Sequence, residues 1–306
     1  MRRLAGLTSA RPLPRFARRS FRRGRIAAAR RDDSRATVVV WPDTFTDAFR
    51  PQVAADLVAV LEALGERVAV PSAWACCGRT LYDAGMLGLA RRSLAGLLDV
   101  LEPWTSRGIP VVVPEPSCLA AFRDELPALL SDDPRAARLA SLARSPAEHL
   151  LASPALAAAI ADPSARARPD GVPPRAVARR GSVPPEARAG RDGLPTRAVV
   201  HPHCHGRAVG TPRADRELLE RLGFEPEILD AGCCGLAGSF GYRAEHEPLS
   251  RRIGDEHWLP RVRAAVGGDD TAALVVDGFS CAMQLEQLSD LDSTTLVALV
   301  RRELDA

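Results

Sequence analysis

Seven cysteines are the residues best able to do chemistry in this chain, and their placement is uneven. Two pairs are adjacent, Cys76-Cys77 and Cys233-Cys234, and each is followed by glycine; Cys118, Cys204 and Cys281 stand singly. The second pair lies in Ala231-Gly232-Cys233-Cys234-Gly235-Leu236-Ala237-Gly238, a turn built largely of glycine. Packing does not call for such a turn, because two small thiols between glycines fill little volume. An inorganic centre does. Glycine lets the backbone take positive φ and approach a bulky core, so that neighbouring thiols converge on one point. Cys204, in His201-Pro202-His203-Cys204-His205, and Cys281, in Phe279-Ser280-Cys281, complete a candidate site of four thiolates, the number a [4Fe–4S] cluster takes.

The elements that must position these cysteines alternate between strand and helix. Thr37–Trp41 is a β-branched run that reads as a buried strand. Pro51–Leu64 carries Val53, Leu57, Val58, Leu61 and Leu64 at helical spacing, and Gly65 closes it. Arg67–Val70 and Ile109–Val113 are further strands, a helix spans about Leu87–Leu101, and helical segments continue to Leu151. Alternation of this kind predicts an α/β fold, a parallel sheet with crossover helices.

The pattern then repeats. Val199-Val200-His201-Pro202 matches Val39-Val40-Trp41-Pro42, and Leu219-Glu220-Arg221-Leu222-Gly223 matches Leu61-Glu62-Ala63-Leu64-Gly65. Cys233-Cys234-Gly235 matches Cys76-Cys77-Gly78, and Ser280-Cys281 matches Ser117-Cys118. A duplication into two similar lobes follows. The expected division is an arginine-rich strap or linker over 1–35, a first lobe over 36–151, a Pro/Ala/Arg-rich linker over 152–196 and a second lobe over 197–306. In an open parallel sheet the carboxyl ends of the strands form the ligand crevice, and each lobe brings its cysteines there. The first lobe is one short, since Thr44 stands where the second has Cys204. Cys76, Cys77 and Cys118 leave two readings open, zinc with a fourth ligand from elsewhere or no metal. His203, His205 and His246 are candidates for the second lobe's surroundings; were the strand to continue, His203 would face away from His201 and His205.

Composition narrows the function classes. The formal charge of +3 conceals an arginine-rich leader, twelve arginines against Asp32 and Asp33 in residues 1–35, so the remaining residues stand at −7. A nucleic-acid reading would rest on that leader alone, with no interleaved aromatics to stack on bases. The leader could mimic a transit peptide, but Arg11-Pro12-Leu13-Pro14 and Phe16 favour an extended strap. An odd cysteine count with adjacent pairs argues against a disulfide framework and for a reducing, cytoplasmic setting. No run reaches the roughly 18 apolar residues of a membrane span.

The motifs Cys76-Cys77-Gly78-Arg79, Glu115-Pro116-Ser117-Cys118, His201-Pro202-His203-Cys204-His205, Cys233-Cys234-Gly235-Leu236-Ala237-Gly238-Ser239 and Asp277-Gly278-Phe279-Ser280-Cys281 carry a resemblance. Together they resemble the paired cysteine-rich (CCG) domains of heterodisulfide reductase B subunits and of the iron–sulfur subunits of glycolate, lactate and anaerobic glycerol-3-phosphate dehydrogenases. They resemble still more the C-terminal third of FAD-linked D-2-hydroxyacid dehydrogenases. That resemblance implies an iron–sulfur electron-transfer component of an oxidoreductase, with FAD in a partner or separate module and a ferredoxin-like module beside it. The 306 residues contain neither module, so the chain is expected to be a subunit or shortened member and not competent alone. The family's lobes end in Cys-x-x-Cys, whereas Ala121 and Gln284 occupy the last position here, which speaks against heterodisulfide reduction. Gln284 is a candidate supporting residue. The alternatives are a cluster-dependent thiol–disulfide or quinone reductase subunit, and a zinc-stabilised interaction module or remnant without redox function.

Overall fold

The computed structural model describes residues 6–28, 33–161, 196–268 and 272–305. Seven short strands are present among the described residues: β1 Val38–Val40, β2 Val68–Ala69, β3 Val111–Val112, β4 Ala143–Arg144, β5 Arg197–Val200, β6 Glu225–Ile228 and β7 Ala272–Val275. They form two sheets in which every pairing is parallel, ordered β2-β1-β3-β4 and β6-β5-β7. The shared core order, second strand, first strand, third strand, is the structural form of the sequence repeat. β4 adds an edge to the first sheet that the sequence pattern did not announce. Two residues are too few to show a period, and the strand exists through its pairing of Ala143 with Val111.

Side-chain alternation along the strands sorts the interior into layers. Val38 and Val40 point into one apolar cluster, and Val39 points into another on the opposite face. In the second sheet Ala198 and Val200 join the first of these clusters, while Val199 faces a third. The two sheets therefore share a central apolar layer. It is filled by Leu57, Val58 and Leu61 of the Pro51–Ala63 helix, Leu218 and Leu219 of the Pro212–Arg221 helix, and Leu296, Leu299 and Val300 of the Leu296–Asp305 helix. The last of these, at the chain's far end, lies against the first lobe's helix, and Arg301 pairs with Asp56 at 2.6 Å.

Further contacts cross between the lobes beside the strand ends. Phe45 stacks on Phe279 with ring centroids 4.4 Å apart. The Glu115 carboxylate accepts from the Phe279 amide at 2.9 Å.

Residues 6–18 form no helix and bend at 9–11, with Leu7 bridged to Arg243 and the Thr8 amide bonded to the Tyr242 carbonyl. Phe21–Ala28 is helical, a feature the arginine-rich composition hid; Phe21 and Arg22 are buried, and Arg22 pairs with Asp47 at 3.3 Å. The stretch read as a linker opens with a helix, Pro154–Ala161, whose start is favoured by Pro154 at its first position and whose body is rich in alanine. Its remainder, 162–195, lies outside the described residues, as do 1–5. No helix among the described residues is long and apolar enough to cross a membrane.

The shared layer predicts joint unfolding. Leu57→Ala should cost roughly 2–5 kcal/mol, and amide exchange in β3 and in β7 should accelerate together. Acceleration confined to β3 would show instead that the lobes unfold separately.

Candidate metal centre

Six of the seven strands, all but β4, lead at their carboxyl ends into a segment that carries a candidate site residue. β1 leads to Asp43 and Thr44, β2 to Cys76-Cys77 and β3 to Cys118; β5 leads to His203 and Cys204, β6 to Cys233-Cys234 and β7 to Cys281. All of these residues line one cleft of about 670 Å³, with Arg79, His205, Phe240, Arg243 and His246. Both sets of cysteines thus open onto the same space.

Local structure holds the second-lobe set in place. Strand β5 ends at Val200, so the alternation of His201, His203 and His205 does not continue. His203 caps the Cys204–Ala208 helix, its Nδ1 accepting from the His205 amide at 3.2 Å, and the His203 and His205 rings lie 5.1 Å apart. They are neighbours, not opposites. His201 instead turns inward, where its Nδ1 accepts from the Trp258 indole at 3.1 Å. After β6, Gly235 takes φ +92°, and its amide donates to the Cys233 sulfur at 3.3 Å. A β-carbon there would stand 2.6 Å from the Ser250 carbonyl oxygen, so the turn requires glycine on two counts. Cys281 sits in the first turn of the Phe279–Leu288 helix, and Ser280 accepts from the Gly238 amide at 3.0 Å, tying this helix to the turn.

Cys204, Cys233, Cys234 and Cys281 converge on the cleft, and each thiol shifts the protonation of its neighbours. The Cys233 thiol is held well below its usual range by hydrogen bonds from Cys204 and Cys234. Cys281 is held low by Cys234, with His203 and His201 adding to the effect. Cys204 and Cys234 are pushed up, Cys204 by its bond to Cys233 and Cys234 by its bonds to Cys233 and Cys281. Four cysteine sulfurs facing one cleft are a donor set suited to a soft metal centre, which binds thiolate and releases the thiol proton. His203, Cys204 and His205 also bring one donor atom each within 4.8 Å of one another. Burial, with Arg79 nearby, lowers His205 to about 4, which leaves its imidazole neutral near pH 7.

The first-lobe set is different. Cys77 and Cys118 are buried with their sulfurs 3.0 Å apart, and Cys76 adjoins them. Cys76 is raised by its bond to Cys77 and by burial, and Cys77 by its bond to Cys118. Cys118, although bonded to Cys77, is pushed up to about 12 by burial and by the charges of Asp43 and Glu115. No thiolate is favoured there. The fully buried Asp43 is itself raised to about 7, by burial and then by Glu115.

Of the sequence candidates, His246 lines the cleft and stacks on Phe240 at 4.2 Å. Gln284 does not line it; its amide donates to the Cys234 carbonyl at 2.9 Å from behind. Glu115 was read only as part of a motif, and Asp43 was not singled out. The signal available for Asp43 was its place before Thr44-Phe45-Thr46, a helix-capping pattern that the structure shows in bonds to the Phe45 and Thr46 amides.

With this geometry in view, comparison with known proteins is informative. The CCG cysteine-rich domain matches twice, at residues 43–123 and 198–286, more than half of the chain. The chain belongs to that family. It is similar to a subunit of the anaerobic glycerol-3-phosphate dehydrogenase of Escherichia coli (strain K12), 28% identical over 298 residues, 96% of this chain and 66% of that protein. D-2-hydroxyglutarate dehydrogenase of the same strain is 25% identical over 259 residues, 82% of this chain and 21% of that protein. Lactate utilization protein A of Bacillus velezensis is 28% identical over 239 residues, 77% of this chain and 83% of that protein. This CCG chain therefore spans just under two thirds of the length of the first relative and about a fifth of the second.

Two outcomes test the site's construction. In Gly278→Ala the added methyl would stand 2.3 Å from His203 Cδ2, so His203 must move. A loss of about 1–3 kcal/mol in denaturant unfolding is expected; unchanged stability and unchanged His203 and His205 resonances would refute the packing. For Asp43 the folded pKa of about 7 exceeds the unfolded value. The folded state thus holds a proton that the unfolded state has released, and stability falls as pH rises between about 4 and 7. Asp43→Asn keeps a capping side chain and should flatten that part of the stability profile.

Proposed function

We propose that this CCG chain is an iron–sulfur electron-transfer component of an oxidoreductase, with its cluster, of [4Fe–4S] type, held by Cys204, Cys233, Cys234 and Cys281. The observation that carries the reading is the convergence of these four cysteines, brought by the segments that follow β5, β6 and β7, on one cleft. When bound, such a cluster supplies one-electron oxidation and reduction. The residues around it serve binding and tuning. The Gly235 amide donates to the Cys233 sulfur, and hydrogen bonds to sulfur and burial are the means by which a protein sets the potential of such a site. Cys234 and Cys281 are buried while Cys204 and Cys233 face the cleft, so one side of the site is sheltered and the other is open to exchange.

The first lobe is assigned no cluster. It offers three cysteines, since Thr44 and Ala121 supply no sulfur, and burial with the neighbouring Asp43 and Glu115 disfavours a thiolate at Cys118. The similarity to subunits and parts of dehydrogenases supports a flavin-containing dehydrogenase module as the electron donor, with a 2-hydroxyacid or a related alcohol as the substrate oxidised there. A ferredoxin-like module is the corresponding second partner. The cleft faces both lobes, so an electron acceptor entering it meets the second-lobe cysteines directly.

The test is anaerobic purification with iron, sulfide and zinc analysis and EPR. About four irons and four sulfides per chain are expected, abolished in Cys234→Ser and retained in Cys77→Ser. Zinc alone, or no metal, in the wild-type protein would overturn the electron-transfer reading. Loss of iron in Cys77→Ser with the fold intact would place the centre in the wrong lobe.

A further inference from the structure

Behind the Cys233-Cys234 turn lies a buried polar cluster outside the cleft lining. Arg11, from the segment near the start of the chain, is only 1% exposed, as little as the core valines. Its guanidinium donates from Nη1 to Gln284 Oε1 and to Gln287 Oε1 at 3.3 Å, and from Nη2 to Ser250 Oγ at 3.2 Å. Nε faces the Glu247 carboxylate at 3.6 Å, and that carboxylate also accepts from Arg251 at 3.0 Å.

A guanidinium has donors and no acceptor, so Gln284 can present only its oxygen to Arg11. The amide nitrogen must then face the other way. There it donates to the Cys234 carbonyl at 2.9 Å and the Ser250 carbonyl at 3.1 Å. The orientation of Gln284, and with it one bond to the peptide that carries a candidate ligand, is set by a residue more than two hundred positions away. Charge is the second consideration. Arg11, Glu247 and Arg251 make two cations around one anion, next to a site of four sulfurs. A charge held out of water acts on its neighbours with little screening. An electron arriving at the sulfur site makes it more negative, a state that Arg11 stabilises and Glu247 opposes.

We propose that Arg11 is a positioning residue for the four-sulfur site, orienting the Cys234 peptide through Gln284 and raising the site's reduction potential with its buried charge, against the offset of Glu247. The inference rests on the electron-transfer reading above. A strap that only clamped the fold would not act on the potential.

The experiment is a redox titration followed by EPR, with iron analysis, on anaerobic wild type, Arg11→Met, Arg11→Lys, Glu247→Gln and the Arg11→Met/Glu247→Gln double variant. With iron content retained, the midpoint potential should fall in Arg11→Met and rise in Glu247→Gln. It should return toward the wild-type value in Arg11→Lys and lie between the single variants in the double variant. Opposite shifts from two buried neighbours follow from charge and not from loosened packing. Loaded variants with the wild-type potential, or with shifts in the same direction, overturn the proposal. Where Arg11→Met does not fold or load, Glu247→Gln decides: a loaded protein with the wild-type potential overturns it. Absence of iron from the wild-type protein is a different failure, that of the electron-transfer reading itself.

Discussion

Sulfur atoms in contact cannot all carry charge. Four thiolates crowded into a half-buried space would repel one another and lose their hydration, so the set must either share protons or share a metal. Most of what surrounds the second lobe's cysteines answers that constraint. The Gly235 amide donates to the Cys233 sulfur, and His201 and His203 favour the charged form of Cys281. The first lobe meets the same constraint differently: with one cysteine fewer and two buried carboxylates near, its thiols remain neutral. The two lobes repeat one fold with different cysteine sets.

Much of this could be read from the residues alone, because cysteine and glycine announce themselves by identity. The Cys-Cys-Gly turns, the lone cysteines after the first and third strands of the repeat, and the parallel α/β arrangement needed no contacts to be seen. The residues that support the site were harder to find. Arg11 is one of many arginines in its stretch, and nothing local distinguishes it from those that face water; its burial follows from Ser250, Gln284 and Gln287, all distant in sequence. Nothing in the sequence set Asp43 apart; its raised pKa comes from burial and from the nearby Glu115. The direction in which His203 points depended on where β5 stops, and a strand's end is set by its neighbours' pairing as much as by its own residues.

Why the first lobe persists with an incomplete cysteine set is answered by packing. Its strands supply one wall of the shared apolar layer, and Glu115 and Phe45 brace the helix that carries Cys281. Removing that lobe would expose the inner face of the second sheet. It serves as scaffold whether or not it ever meets an electron.

The shared layer also bears on motion. Many two-lobed proteins close around a ligand by bending at a few hinge residues between separate cores. Here Val40 and Val200, from opposite sheets, pack in one cluster, and the Leu296–Asp305 helix is pinned to the first lobe. Such an interior resists shear, so the walls of the cleft keep their dipoles and their distances when charge changes within it. Were the cleft to hold the redox centre proposed above, so stiff a frame would impose little reorganisation on an electron entering it. The stiffness that holds the lobes together thereby becomes a kinetic property of the site between them.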